Sequence, residues 1–368
     1  MKMNFFKKLF YPPNYICMPI AGVEICNSSV RYVEFSNKKG NLSLKNFGEI
    51  PFPDGVVKNG EILNKKVLIK SLSDLKNKIS ADFISVSISE EQTYMFYTQI
   101  PDLKKDAEIR QAVEFKLEEY IPVKADEVSF EYHLLRDKKD GDGNLFVSVS
   151  AIPKKVIATY AEVLDQAGIT PVSFEIESRM VAKSVISKNY HKTSIIINIK
   201  DDYTALSLVV DGNTRFSSTV PIGNNIIRAN LLKTDPAAYD ANGNLSEKVV
   251  TYDATANNDS FEALLNIFSI IKDEVRKFND YLISKASDKK SFLSDQIDQI
   301  VLCGKSSILP GLTNYINQSF NTEVVLANVW INTFDLNNHI PSLKFQDSLA
   351  YTAPIGLAVN SIKNLNHA

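Results

Sequence analysis

Cysteine and histidine are scarce in this chain of 368 residues, and their positions argue against two kinds of site. The three cysteines are Cys17, Cys26 and Cys303, and the four histidines are His133, His191, His339 and His367. An odd number of cysteines without a Cys-x-x-Cys pair does not make a disulfide framework, so we expect a reducing, cytoplasmic setting. The scattered histidines have no ligand spacing, so no zinc site is expected.

The chain also lacks an excess of one charge and a long apolar run. Its 41 basic and 43 acidic residues leave a formal net charge of −2 and no segment is strongly basic, so nucleic acid is not an expected partner. The longest uncharged runs, residues 9–23 and 348–362, contain proline and are shorter than the roughly 18 to 20 apolar residues of a transmembrane helix. We therefore expect a chain that does not cross a membrane by itself.

The first residues of the chain are apolar and basic. Residues 3–10 read MNFFKKLF and are followed by Pro12 and Pro13. A signal peptide is not expected, because the charges lie inside the apolar run and no cleavage site follows. Two interpretations remain, a short interfacial membrane anchor or a terminus that packs on the protein, and we favour the second.

Two stretches of the chain repeat one order of strands and turns. The first occupies residues 20–51 and the second residues 195–223, and in each of them two polar turns separate three strands. Such β-meanders, about one domain length apart, predict two related lobes. We expect residues 20–48 and 195–220 to superpose and to face one cleft.

Apolar residues at helical spacing predict helices, and alternating apolar residues predict further strands. The predicted helices are residues 65–79, 102–120, 154–167, 178–187, 226–232, 260–284, 310–320 and 348–362. The predicted further strands are residues 83–88, 93–100, 127–135, 145–152, 171–176 and 299–303. Residues 233–258 are polar and predict a loop excursion on the surface.

Strand, helix, two strands and helix follow one another within residues 93–168, which predicts a small α+β insert. Ile109, Val113 and Leu117 share one stripe of its first helix, and we expect this stripe to be buried. The stripe should pack against Phe130 and against Val147 or Val149.

The Asp-Gly-Asp-Gly sequence at residues 140–143 has two interpretations, a calcium loop and a hairpin turn. In the register of an EF-hand the first ligand position would be Lys138 and the last Val149, neither of which supplies a carboxylate. We therefore predict a hairpin turn.

Catalytic motifs are not found. Gly304-Lys305-Ser306 follows a strand as a P-loop would, but the first glycine of that motif would fall on Gln299. The chain has no Gly-x-Ser-x-Gly elbow and no His-Glu-x-x-His motif. The carboxylates of Glu118 and Glu119 lie on a polar helix face and are interpreted as solvated charges.

Four stretches make the chain resemble the actin-like ATPase superfamily and, within it, the PilM family of type IV pilus assembly proteins. The first is Gly22-Val23-Glu24-Ile25 with Ser28-Ser29-Val30-Arg31, which is close to the family's GIDIG..SVK opening. The second is VEFKLEEYIP at 113–122, which is similar to the family's EQYIPF segment. The third and fourth are Val220-Pro221-Ile222-Gly223 and Ile308-Leu309-Pro310-Gly311-Leu312. The resemblance covers residues 21–362. It implies a two-lobed α/β fold (the ASKHA fold), with an α+β insert in the first lobe like that of the division protein FtsA.

The resemblance also implies a domain organisation in which the chain passes between the lobes several times. The implied segments are the first-lobe core (18–92), the insert (93–168), the first-lobe core continued (169–193), the second-lobe core (194–224), a second-lobe subdomain (225–297), the second-lobe core continued (298–340) and a C-terminal helix returning to the first lobe (341–368).

In the resembling family a nucleotide lies between the lobes, where the two meander turns hold its phosphates and an aspartate at each turn positions Mg²⁺. Carried over to this chain, the implied ATP-binding residues are Glu24, Asn27, Ser28, Ser29, Arg31, Asn198, Lys200, Asp201, Thr204, Gly223, Gly304 and Lys305. No catalytic residue is implied.

Several of these positions depart from the family pattern. Glu24 and Asn198 replace the two aspartates, while Cys26 and Lys200 replace glycines, and Gly304-Lys305 stands for a Gly-Gly pair. Loss of a carboxylate and added side chains at the phosphates weaken a nucleotide site together. We expect a degenerate site in which ATP binds weakly or not at all, with Mg²⁺ only if ATP binds. Lys200 either fills the space of the nucleotide, which we favour, or pairs with phosphate.

The resemblance implies a cytoplasmic scaffold, peripheral to the inner membrane, of type IV pilus or related secretion assembly. It would bind the short N-terminal tail of a single-span membrane protein, PilN, in a groove between the first lobe and the insert. Other pilus assembly subunits and self-association are further implied contacts. The alternatives are an FtsA-like filament-forming membrane adaptor, whose usual C-terminal amphipathic helix is not found in residues 364–368, and an active ATPase or kinase.

Overall fold

The structure is a computed structural model that describes residues 19–38, 41–139, 142–239, 259–286, 296–309, 311–337 and 339–365. The strands are β1 (Ile20–Ile25), β2 (Ser29–Lys38), β3 (Asn41–Pro51), β4 (Val57–Lys58), β5 (Glu61–Ile62), β6 (Phe83–Ile88), β7 (Tyr94–Ile100), β8 (Val128–Lys139), β9 (Leu145–Pro153), β10 (Thr170–Ile176), β11 (Thr193–Ile199), β12 (Thr204–Val210), β13 (Asn213–Val220), β14 (Gln299–Cys303) and β15 (Glu323–Leu326). The helices are α1 (Lys65–Lys78), α2 (Asp106–Tyr120), α3 (Lys154–Gln166), α4 (Glu177–Val185), α5 (Asn224–Thr234), α6 (Asp259–Ala286), α7 (Leu312–Phe320), α8 (Phe345–Ser348) and α9 (Thr352–Leu365).

Two separate five-stranded sheets have the same arrangement. The first has the order β10-β6-β1-β2-β3 and the second the order β13-β12-β11-β14-β15. In the first sheet the antiparallel meander β1-β2-β3 continues through β6 and β10, which run parallel to β1. In the second the meander β11-β12-β13 continues through β14 and β15, which run parallel to β11. The prediction of two related lobes from the repeated meander is confirmed.

Each lobe has its own apolar core on one face of its sheet. In the first lobe, α1 and α3 cover the sheet, and Leu72 and Tyr160 are buried among residues of β1 and β6. Helix α3 falls within the predicted insert range 93–168, but its apolar residues pack on the first lobe. The apolar spacing within residues 260–284 predicts one buried stripe of Phe261, Leu264, Leu265, Phe268, Ile271, Val275, Phe278 and Leu282. In the second lobe, α6 buries Leu264, Phe268, Ile271, Val275, Phe278 and Leu282, whereas Leu265 is only half-buried. The side chain of Phe261, also in that stripe, lies outside the described residues.

Helices α4 and α9 form a third apolar cluster with the other faces of both sheets. The close packing of α9 depends on two glycines. A Cβ atom at Gly22 of β1 would lie 2.0 Å from the carbonyl oxygen of Pro354, and one at Gly356 would lie 1.8 Å from that of Met180 in α4. The single helix predicted at 348–362 is instead the short helix α8, a 3₁₀ turn at Leu349–Tyr351, and α9.

The insert is a three-stranded sheet, β7-β9-β8, covered by α2. Ile109, Val113 and Leu117 are fully buried in one cluster with Val147, Val149 and the half-buried Phe130, as predicted. Strands β8 and β9 pair antiparallel on either side of the predicted hairpin turn. Residues 140 and 141 of that turn lie outside the described residues, as do residues 240–258 of the predicted surface excursion.

Several further elements differ from the sequence-based expectation. Strands β4, β5 and β15 were not predicted, because their two to four residues are too few for a periodic signal. Helix α2 begins at Asp106 and not at residue 102, with four residues of irregular chain, 102–105, after Pro101. Among the described helices, none combines the length and apolar character needed to span a bilayer.

Replacing Val113 by aspartate tests the packing of α2 on the insert sheet. Because Val113 is fully buried, Val113→Asp places an unpaired charge in an apolar core and should lower the free energy of unfolding by several kcal/mol. Chemical denaturation measures this change. The matched control is Phe115→Asp, two residues along the same helix and 70% exposed, which should change stability by less than about 0.5 kcal/mol. Equal stability of the Val113→Asp variant and the wild type would contradict the packing.

Candidate functional site

Three glutamates meet where three parallel strands of the first lobe end. Glu24 is near the end of β1, Glu90 follows β6 and Glu177 follows β10. The carboxyl ends of parallel strands lie at one edge of a sheet, so the three side chains converge on the cleft between the lobes. All three are buried. Only Glu24 is among the site residues predicted from the sequence. The positions of Glu90 and Glu177, close behind the predicted strands 83–88 and 171–176, could have identified these two residues as well.

Lys200 enters this group of glutamates from the other lobe. It follows β11 at the first turn of the second meander, and its side chain is 9% exposed. Its Nζ atom lies 2.8 Å from Oε1 of Glu24 and 2.7 Å from Oε1 of Glu177. Burial disfavours the ammonium charge, but Glu177 and Glu24 hold the pKa of Lys200 well above its ordinary value. The ammonium therefore joins the second lobe to two elements of the first.

The acids of this cluster outnumber its cation. Burial, together with the charges of Glu90 and Glu24, raises the pKa of Glu177 to about 8 against the opposing effect of Lys200. Burial also raises the pKa of Glu90, whose Oε1 accepts a hydrogen bond of 2.5 Å from the backbone amide of Ser178. A proton held on Glu177 near neutral pH brings the charge of the cluster closer to balance.

A second set of ion pairs joins the lobes beside Lys200. Arg31 of β2 pairs with Oδ2 of Asp201 at 2.5 Å and donates from Nε to Oε1 of Glu49 at 3.1 Å. Nζ of Lys305 lies 3.8 Å from Glu49 and 3.7 Å from Asp201. Burial acts to raise the pKa of Asp201, but Arg31 and Lys305 lower it below its ordinary value. Glu49, which sequence analysis missed, completes this set.

The remaining polar groups expected at phosphate make bonds within the protein. The hydroxyl of Ser29 donates to Glu49 at 2.6 Å, and that of Thr204 donates to the carbonyl of Ile222 at 2.6 Å. The side-chain oxygen of Asn27 accepts from the amide of Asn59 at 3.0 Å, and the carbonyl of Ser28 accepts from the amide of Phe52 at 2.9 Å. Asn198 is buried at the end of β11 and lines a small cavity beside Lys200.

The two glycines of the predicted site lie against backbone. Gly304 has φ of +88°, and a Cβ there would be 2.1 Å from the carbonyl oxygen of Ile199. A Cβ at Gly223 would be 2.5 Å from the carbonyl carbon of Asp202. Glycine is therefore required at both positions. Gly304 allows the ends of β11 and β14 to approach each other, and Gly223 allows the start of α5 to approach the turn at residues 200–203.

Little free volume is left between the lobes at this site. One cavity of about 10 Å³ is lined by Glu24, Arg31, Asn198, Ile199, Lys200, Asp201, Gly304, Lys305, Ala350 and Thr352. A second cavity of about 10 Å³ is lined by Ile25, Cys26, Asn27, Gly60, Ser89, Lys200, Asp201, Asp202 and Tyr203. Each has room for about one water molecule, whereas small-molecule pockets measure about 300 Å³ or more. Within the described part of the chain, no group of three His, Cys, Asp or Glu side chains is arranged to hold a metal ion.

A larger groove lies nearby, between the insert and the second lobe, and we call it the edge groove. Its volume is about 240 Å³, and its lining residues are Glu90, Glu91, Thr93, Tyr94, Met95, Phe96, Tyr120, Ile121, Ser217, Ser218 and Thr219. Strands β7 and β13, which border it, are each at the edge of their sheet and come close to each other. The rings of Phe96 and Tyr120 stack with their centroids 4.5 Å apart. The groove thus combines free strand edges, aromatic rings and acidic side chains.

Comparison with solved structures defines the class of this fold. The structure entitled PilM-PilN type IV pilus biogenesis complex matches with a TM-score of 0.70 at 18% identity, over 94% of this chain and 99% of that chain. MreB5 of Spiroplasma citri bound to ADP matches with a TM-score of 0.52 at 12% identity, over 95% of this chain and 98% of that chain. The fold is that of the actin-like ATPases, as the resemblance implied.

A family model identifies the protein more closely. The model for type IV pilus assembly protein PilM matches residues 22–362. The chain therefore belongs to the PilM family, and the family resemblance drawn from its four sequence stretches is confirmed.

The pH dependence of stability tests the buried Glu177. The pKa of Glu177 is about 8 in the folded protein and lower in the unfolded chain, so the folded state binds more protons, and this contribution to stability is lost as pH rises toward 8. Glu177→Gln cannot ionise, so its stability relative to the wild type should improve as pH rises from about 5 to about 8. Urea denaturation of both proteins across this range measures the trend. Glu118→Gln, on the exposed face of α2, is the control. If the difference in free energy of unfolding between Glu177→Gln and the wild type did not change with pH, the assignment would be contradicted.

Proposed function

We propose that the protein is a cytoplasmic scaffold of type IV pilus assembly that binds the N-terminal tail of a PilN-like single-span protein of the inner membrane. The observation that carries this proposal is the PilM family match over residues 22–362. The similar structure in a PilM-PilN complex supports a partner of the PilN kind. Association with the membrane would then come through the partner, and other pilus subunits or a second copy of the chain are further candidate contacts.

The edge groove is the site that we propose for the tail. An extended peptide can add to the free edge of a sheet, and its backbone amides and carbonyls then supply hydrogen bonds whatever its sequence. Strands β7 and β13 offer two such edges. The resemblance implies a groove between the first lobe and the insert, whereas the edge groove lies between the insert and the second lobe and has Glu90 and Glu91 of the first lobe among its lining residues. Cytoplasmic segments next to a membrane span carry an excess of lysine and arginine. Glu90 and Glu91 give the groove the complementary charge.

We also propose that the cleft between the lobes is a degenerate nucleotide site. Two observations support this proposal: the Lys200 ammonium lies between Glu24 and Glu177, and the adjoining cavities have volumes of only about 10 Å³ each. A bound nucleotide would have to break the pairs that Arg31 and Lys305 make with acids of the protein. These observations support the interpretation in which Lys200 fills the nucleotide space. The protein would then hold its partner without an ATPase cycle.

Binding of the tail is tested with a synthetic peptide of the cytoplasmic N-terminus of the single-span protein encoded beside this chain. Calorimetry should show binding in the absence of nucleotide. Tyr120→Ala, which removes a 51%-exposed ring from the groove, should weaken binding by about tenfold. Phe115→Ala, on the same helix but outside the groove, is the matched control and should bind as the wild type does. If the peptide does not bind, the proposed function is contradicted. If it binds all three proteins equally, the proposed groove is contradicted.

Nucleotide binding is tested by calorimetry with Mg-ATP at submillimolar concentration. The wild type should show no binding, because Lys200 and its two acids fill the site. Lys192→Ala, which removes an exposed lysine directly before β11, is the control for Lys200→Ala. Tight Mg-ATP binding by the wild type and by Lys192→Ala, abolished by Lys200→Ala, would reverse the assignment. Lys200 would then be a phosphate ligand, and the protein would respond to nucleotide.

A further inference from the structure

Glu90 belongs to both the edge groove and the cleft. It follows β6 in a short 3₁₀ turn, Glu90–Gln92, and its residue as a whole is 9% exposed. Its Oε1 atom accepts the backbone amide of Ser178 at the start of α4. Its Oε2 atom is buried and has no hydrogen-bond partner among the described residues. Oε1 therefore accepts a hydrogen bond within the fold, whereas Oε2 accepts none from the described residues.

A carboxylate oxygen that is buried without a partner is unfavourable, and it marks a place where a missing donor would bind strongly. Capping α4 explains Oε1 but requires only one acceptor atom. Oε2 belongs to a residue that lines the edge groove, next to the exposed Glu91. Within the protein, the buried hydroxyl of Ser178 is one donor close to this carboxylate, and it too has no hydrogen-bond partner among the described residues. A donor from outside the protein would have to come from the occupant of the edge groove.

The charges around Glu90 specify the kind of donor. Glu91 is its neighbour in the groove, and Glu274 reaches the opposite wall by accepting a hydrogen bond of 2.7 Å from Ser218. The cation of the cluster, Lys200, is already shared between Glu24 and Glu177. The groove at Glu90 therefore has an excess of negative charge, which favours a positively charged donor over a neutral one.

We propose that Glu90 is the receptor for a basic side chain of the tail, a lysine or arginine that donates a charge-assisted hydrogen bond to Oε2 when the tail lies in the edge groove. This inference rests on the proposed function and adds the residue that selects the tail by its charge. Phe96 and Tyr120 would contact the apolar part of the same segment.

The same position connects the groove to the cleft. Ser178, which donates to Oε1 of Glu90, directly follows Glu177, and Glu177 accepts from Lys200. Burial raises the pKa of Glu90, and a cation at Oε2 would lower it again, so that the carboxylate is ionised in the complex. The basic side chain of the tail and Lys200 would thus lie on opposite sides of one pair of acids.

The test compares Glu90→Gln with the wild type, using the synthetic tail peptide and a version whose basic residues are replaced by citrulline or norleucine. Glutamine keeps the acceptor for Ser178 and the size of the side chain but removes the charge. It should weaken binding of the basic peptide by about tenfold or more and should not change binding of the neutral peptide. Glu91→Gln, the exposed neighbour, should change binding of the basic peptide by less than about threefold.

The outcomes separate this inference from the proposed function. If the basic peptide binds the wild type and Glu90→Gln equally, the role of Glu90 is wrong and the proposed function stands. If the basic peptide binds neither protein, the proposed function fails and the inference fails with it. If Glu90→Gln does not fold, the binding of the neutral peptide to the wild-type protein tests the proposal. Loss of the basic group from the peptide should weaken this binding by about tenfold or more. Equal binding of the two peptides to the wild type overturns the proposal.

Discussion

The placement of the two lobes depends on one buried ammonium group. Lys200 extends from the second lobe and lies between Glu24 of β1 and Glu177 at the start of α4. A buried charge is strongly destabilising when it lacks a partner, so the ammonium of Lys200 can remain in the closed cleft only because these two acids pair with it. The pair of the buried Arg31 with the half-buried Asp201 adds a second contact between the lobes. The closed arrangement of the lobes is therefore the one in which these charges are satisfied.

The same contacts account for the small volume of the cleft. In an open cleft, hydroxyl, amide and cationic groups at two turns are available to a bound anion. Here Ser29 donates to Glu49, Thr204 donates to Ile222, and Lys305 lies near Glu49 and Asp201. Carboxylates of the protein thus hold the positions opposite the cations. The cations of the cleft pair with acids of the protein itself. These internal ion pairs keep the cleft between the two lobes closed.

The sequence was sufficient for features that depend on local pattern. The two meanders, the buried stripes of α2 and α6 and the antiparallel pair β8 and β9 all follow from periodicity and turn residues, which act over a few positions. The partners of the cleft residues could not be predicted in this way. Glu49, Glu90 and Glu177 come from separate elements of the first lobe and meet Lys200 and Asp201 only through the packing of both lobes. Helix α3 was likewise assigned by its order in the chain, whereas its apolar face decides its packing on the first lobe.

The edge groove and the cleft are adjacent because the insert and the second lobe meet at strand edges. A free edge exposes unpaired backbone groups and is a liability unless something covers it. Strand β7 of the insert and β13 of the second lobe place two such edges on either side of one groove, with Glu90 at its inner end. An extended segment that entered there would pair with one of these edges and would contact both lobes. Binding at this groove would then favour the same closed arrangement that Lys200 stabilises from the cleft.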